Sequence, residues 1–216
     1  MSKRVALFWP GDARQIPNDL ALPNVEATTL QLERALTKLG RTPYRVPGYL
    51  SKPHHAIERL APVEDPMVGV FVHWVYGPHT TEGVVGRNNP LLLASNFSGQ
   101  WPGLVGLLNT GACLTSLNRS HSRIWTTAED FSADPAFMER LDEWCSSGSI
   151  RYPETSIQYH AVISSAASAR ALRVAEAIRK KRPLVMMLGD TSMGMINGYF
   201  GPRLLSDVGF SEHKID

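Results

Sequence analysis

The stretch MVGVFVHWVYGPHT, residues 67–80, decides how this chain folds. Its first half carries no polar side chain before His73, so it lacks the alternation of a strand with one wet face. A short apolar run closed by Gly77 and Pro78 reads as a strand buried on both sides. Such strands belong to parallel sheets with helices on both faces. Its second half raises a separate question. His73, Trp74, Tyr76 and His79 gather where the strand runs out. Rings with polar edges at a strand's carboxyl end suit a sugar site, and they equally suit packing beneath a loop.

Working outward, RVALFW at 4–9 is a second apolar strand, 42–49 a third interrupted by Pro47, and PLLLAS at 90–95 a fourth. SHSRIWT at 120–126 reads as a fifth, edge-like strand. Between them the periodicity predicts helices. The loop PGDARQIPNDLALP, 10–23, precedes a helix beginning at Val25, with Val25, Thr29, Leu32, Leu36 and Leu39 on one face. Asn24 is its expected N-cap and Gly40 its stop. HHAIERL is a short helix, and Pro102 opens a helix of small residues over PGLVGLLNTGACLTSLN. Asp134-Pro135 starts another over AFMERLDEWC. Alternating strands and helices with right-handed crossovers predict a three-layer, Rossmann-like or flavodoxin-like parallel α/β domain over residues 1–153.

A second unit follows over 154–216. Residues 164–181 form a helix rich in Ala and Arg, RPLVMMLGD at 182–190 a buried strand, PRLLSDVGF a short helix, and EHKID the start of another strand. One strand and the start of a second make a narrow sheet, so this α/β unit is expected to be incomplete.

Composition narrows the function classes. The 216 residues are 43% hydrophobic and 19% charged, with a net charge of +2. That charge is too small to imply nucleic acid or an anionic membrane as partner. The one basic run, Arg179 to Arg182, ends a helix, where cations offset the macrodipole. Cys113 and Cys145 lie in separate helices with no CxxC, which argues against a disulfide scaffold and fits a reducing, cytoplasmic setting. No window is long and apolar enough to span a bilayer.

The usual chemical fingerprints are missing. GxGxxG, GxxxxGK[ST], GxSxG and HExxH do not occur, which disfavours an oxidoreductase, a P-loop enzyme and a Ser-His-Asp hydrolase. The seven histidines are scattered. Ligands of open α/β sheets gather at the strands' carboxyl ends, so the informative segments are WPGDAR, HWVYGPHT, SNFSGQWPG and GDTSMGM. From pattern alone Arg14 either holds a ligand oxygen or is a solvated partner of Asp12. Trp74 either stacks on a sugar or sits in the core. Gln100 and Trp101 are better explained as cover for a helix's first turn.

Four of these segments, in order, carry a resemblance. GDAR at 11–14, HWVYG at 73–77, NFSGQWPG at 96–103 and LGDTSMGM at 188–195 resemble the L-fucose isomerase family and its L-arabinose isomerase relatives, over essentially the whole chain. The resemblance implies a manganese-dependent aldose–ketose isomerase with two amino-terminal α/β domains, assembled as an oligomer. It implies that the first domain recognises the sugar and reaches a neighbouring subunit's active site. Arg14 matches a family arginine on sugar hydroxyls, Trp74 a tryptophan packed on the sugar, and Met193 a methionine near the substrate. The family's metal ligands, two carboxylates and a histidine, have no counterpart here. The expectation is the amino-terminal part of such an isomerase: a homo-oligomer, or the partner of a carboxyl-terminal portion, with Mn2+ bound by residues outside this chain. The alternative is a non-catalytic sugar-binding or regulatory module.

Overall fold

The computed structural model of the chain describes residues 2–97, 100–153, 164–188 and 201–215. The described residues divide into two compact units, one through Arg151 and one from Tyr152 onward.

In the first unit β1 (Arg4–Pro10), β2 (Thr42–Leu50), β3 (Met67–Phe71), β4 (Leu91–Asn96) and β5 (Ser122–Thr126) alternate with five helices. These are α1 (Gln15–Lys38), α2 (Pro53–Leu60), α3 (Pro78–Val84), α4 (Gly103–Ser116) and α5 (Pro135–Ser147). All neighbouring strands pair in parallel, in the order β2-β1-β3-β4-β5. Side chains alternate along β1, so Val5, Leu7 and Trp9 enter one apolar layer while Ala6 and Phe8 enter the other. The first layer is closed by α1 and α5 through Leu32, Leu36, Leu141 and Trp144. The second is closed by α2, α3 and α4 through Leu60, Val84, Leu107 and Leu114. The result is the three-layer, flavodoxin-like α/β fold expected, with β5 on an edge.

Local capping follows the sequence at α5. The Asp134 side chain accepts from the N–H groups of Ala136 and Phe137, and Pro135 takes the first helical position. The start of α1 does not follow it. The helix begins at Gln15, well before Val25, and Asn24 lies inside it as no cap. Pro17 falls in the first turn, where backbone N–H groups have no intrahelical partner. Pro23 does remove an internal bond, yet the helix runs through it because Asn18, Ala21 and Val25 are buried along one face. Residues 78–84, read as loop, form α3, with Pro78 in its first turn. In β2 the interruption at Pro47 is a bulge: Leu7 pairs with Arg45 but Trp9 pairs with Tyr49. Gly48 there has φ of 68°, a left-handed conformation that glycine adopts without strain.

The second unit contains α6 (Ser165–Lys181), β6 (Leu184–Leu188), α7 (Gly201–Val208) and β7 (Ser211–Ile215), with β6 and β7 paired in parallel. The expectation of a buried strand at 182–190 is corrected for its described residues. Leu184, Met186 and Leu188 are 58%, 58% and 77% exposed. Among the described elements only the opposite face of β6, with Val185 and Met187, is half-buried.

Candidate functional site

Strand order fixes where to look. After β1 the chain goes to β2 on one side and then to β3 on the other, so the order reverses between β1 and β3. Loops at such a reversal diverge and leave a crevice at the strands' carboxyl ends. Here the two loops are residues 11–14 and 72–77.

The first loop is built around two buried side chains. Asn18, on the first turns of α1, reaches back so that its Nδ2 donates to the Asp12 and Arg14 carbonyls at 2.8 and 3.1 Å. Its Oδ1 accepts from the Asp12 N–H at 2.8 Å. Asp12, 2% exposed, accepts a two-pronged ion pair from Arg14: Nε to Oδ1 at 2.9 Å and Nη2 to Oδ2 at 2.8 Å. Arg14 also donates its backbone N–H to Oδ1. The hydrogen bonds from Arg14 hold the Asp12 carboxyl below its ordinary range, against the opposing effect of burial. The same hydrogen-bonded ion pair raises the guanidinium's pKa. Arg14 is thus a permanent cation on a fixed mount, its side chain 71% exposed.

The second loop is tied to the first by histidines. His73 Nε2 lies 3.0 Å from Asn18 Oδ1, and His79 Nδ1 lies 2.7 Å from the Gly11 carbonyl. Both rings are buried, which pushes both pKa values down and keeps the imidazoles neutral at pH 7. Rings continue outward as edge contacts, Trp74 on Tyr76 and Tyr49 on His73. Gly103 lets α4 start against the ends of β3 and β4. A Cβ there would lie 2.6 Å from the Phe71 carbonyl oxygen and 2.8 Å from that of Val72.

Together these loops line a cleft of about 260 Å³, with Arg14, Asp12 and His73 as its polar groups and Trp74 and Trp101 as its large rings. Pro17, Leu20 and Pro102 complete an apolar floor and rim. The arrangement offers a fixed cation and neutral polar edges beside flat apolar surface.

Of the residues singled out in the sequence, Arg14 and Trp74 line this one cleft. Arg14 is paired with Asp12, as one reading had it, and is still exposed to the cleft. Met193 lies outside the described residues. Trp101, read as mere helix cover, lines the cleft and also packs on the core. His73, noted in the sequence as one of the rings at the strand end, lines the cleft, whereas Asn18, which braces both loops, was not singled out. The signal for Asn18 was a polar residue in register with Ala21, Val25 and Leu32, visible only once α1 is extended backwards.

No family model matches the chain, and no curated protein matches it. Manganese does not fit the described cleft. Both oxygens of Asp12 are committed to Arg14, and no group of three His, Cys, Asp or Glu side chains suited to a metal exists among the described residues. No described helix is long and apolar enough to cross a membrane.

Proposed function

We propose that the first unit is the sugar-recognition part of an L-fucose isomerase-like aldose–ketose isomerase. In this reading it contributes Arg14 and Trp74 to an active site whose manganese ligands lie outside the chain. The observation that carries the reading is that both residues line one cleft at the strand-order reversal. Each has a definite part. Arg14, with Nε and one Nη2 hydrogen held by Asp12, keeps Nη1 for a sugar oxygen. Trp74 offers its face to the C–H side of a pyranose. The isomerisation itself moves a proton between C1 and C2 and needs an acid/base pair that this cleft does not supply. Its recognition chemistry also suits a non-catalytic sugar-binding module, and manganese-dependent turnover separates the two. Ile16 and Leu20, 72% and 65% exposed on one side of α1, fit association with another subunit at this rim.

Calorimetric titration with L-fucose and L-arabinose tests the reading. Arg14→Ala and Trp74→Ala should each weaken binding about tenfold, the loss of one good polar or stacking contact. Unchanged affinity in both variants would remove the assigned roles.

A further inference from the structure

The ring of His73 has one nitrogen accounted for and one not, and Asn18 fixes which is which. The Asp12 backbone N–H can only donate, so the Asn18 atom 2.8 Å from it is the oxygen. The other end of the same amide meets two carbonyls, which only its NH2 can do. That oxygen lies 3.0 Å from His73 Nε2, so Nε2 carries the proton and donates. In the neutral ring Nδ1 is then a pure acceptor. It is buried and has no hydrogen-bond partner among the described residues. A buried acceptor left unpaired costs on the order of 1–3 kcal/mol. Such atoms in native proteins ordinarily have a reason to be there. This one belongs to a ring that is 4% exposed and forms part of the cleft wall.

We propose that His73 is a specificity-determining residue of the cleft, its Nδ1 accepting a hydrogen bond from a ligand hydroxyl while Arg14 donates to another ligand oxygen. The proposal rests on the reading that the cleft takes a sugar, and it narrows that reading. A site with one obligate acceptor and one obligate donor asks for a ligand that both gives and takes hydrogen bonds. A polyol does this. A carboxylate or phosphate group, which only accepts, would set an anionic oxygen against the Nδ1 lone pair. Nδ1 is buried, so a ligand must shift part of the lining to reach it.

The charged and titratable groups around the ring are Asp12 and Arg14 on the first loop, Tyr49 from β2 and, sharing Asp12 as a neighbour, His79 from α3, whose own titration persists in the Gln variant. Asp12 and Arg14 stay ionised across the histidine range, since their pairing moves each away from it. Burial raises the Tyr49 pKa, so it stays neutral. A loss of affinity on acidification therefore reports on histidine.

The experiment compares the intact chain with His73→Gln. Glutamine's amide nitrogen can donate to Asn18 as Nε2 does, but leaves nothing at the Nδ1 position. With L-fucose and L-arabinose as probes, His73→Gln should melt like wild type and bind about tenfold more weakly. Wild-type affinity should fall as pH drops through the His73 titration, where Nδ1 gains a proton and ceases to accept, and the Gln variant should lose this part of the pH dependence. Ring-nitrogen NMR of the free wild-type protein should find the proton on Nε2 at neutral pH. Undiminished binding by His73→Gln, or a proton found on Nδ1, overturns this inference and leaves the sugar reading standing. A wild-type chain that binds neither sugar removes the sugar reading and this inference with it. If the Gln variant fails to fold, the wild-type NMR assignment and pH profile decide alone.

Discussion

At the carboxyl end of the sheet, Arg14 stands with its side chain 71% exposed, mounted on the buried carboxylate of Asp12. At the amino end, Arg119 is 8% exposed and its guanidinium donates to the backbone carbonyls of Val84, Ser120 and Asn89. The fold itself produces the difference. In a parallel α/β layer the helices run back against the strands, so their carbonyl ends collect at the amino edge of the sheet. Helix amino termini, with N–H groups to spare, collect at the carboxyl edge. Arg119 follows the end of α4 and donates to no carboxylate among the described residues. Its charge is offset by carbonyl dipoles, including that of Val84 at the end of α3. Burial, with Arg87 nearby, lowers its pKa. One arginine is therefore spent on holding loops together and the other is presented outward.

The largest test of this contrast is Arg119→Met. It leaves three carbonyls without that donor and should cost about 3 kcal/mol of unfolding free energy in a urea titration, with sugar affinity of the folded fraction unchanged. A loss below about 0.5 kcal/mol would mean that the amino-end arginine is dispensable.

Next is Gly103→Ala, which sharpens the contrast by joining stability to the site. Its Cβ would meet the Phe71 and Val72 carbonyls, so α4 must move away from the strand ends. About 2 kcal/mol should be lost to this overpacking, and sugar affinity should fall with it because Trp101 and Pro102 precede this glycine. Wild-type affinity in a destabilised variant would show that the cleft tolerates movement of α4.

Acidification should have a smaller effect that spans both ends. His73 and His79 at the carboxyl end and His121 at the amino end all have pKa values lowered by burial. The unfolded chain therefore binds protons first, near pH 6.5, and stability rises with pH through that window. The melting temperature should fall progressively from pH 7 to pH 5, and a flat profile would contradict neutral buried rings. Arg14→Ala should weaken sugar binding and also lower the melting temperature, because it strips the buried Asp12 carboxylate of its ion pair, whereas Arg119→Met should lower stability alone.

The legible parts of the fold were those whose signal is local. RVALF and MVGVF are apolar on both faces, and a stretch of that kind has little choice but to be covered on both sides. Asp134-Pro135 names its helix start by itself. The illegible parts depended on partners far away in sequence. Pro17 and Pro23 look like breakers, yet Pro17 sits harmlessly in the first turn of α1 and the helix runs through Pro23 because its inner face is buried in the sheet layer. LVMML looks like a buried strand, yet alternate residues of it are exposed among the described elements of the second unit. At the cleft, Arg14 and Trp74 were visible as unusual residues at strand ends. Asn18, which ties Asp12, Arg14 and His73 together across a separation of 55 positions, was not.

By itself the sequence determined a parallel α/β layer and the edge of it on which polar rings collect. Hydrophobic runs and their punctuation are properties of neighbouring residues. Only the tertiary structure decided that Arg14 is held by Asp12, that Trp101 joins the cleft, and that His73 keeps one nitrogen without a partner among the described residues. Those facts are set by strand order and by hydrogen bonds between loops, and no stretch of neighbouring residues carries that information.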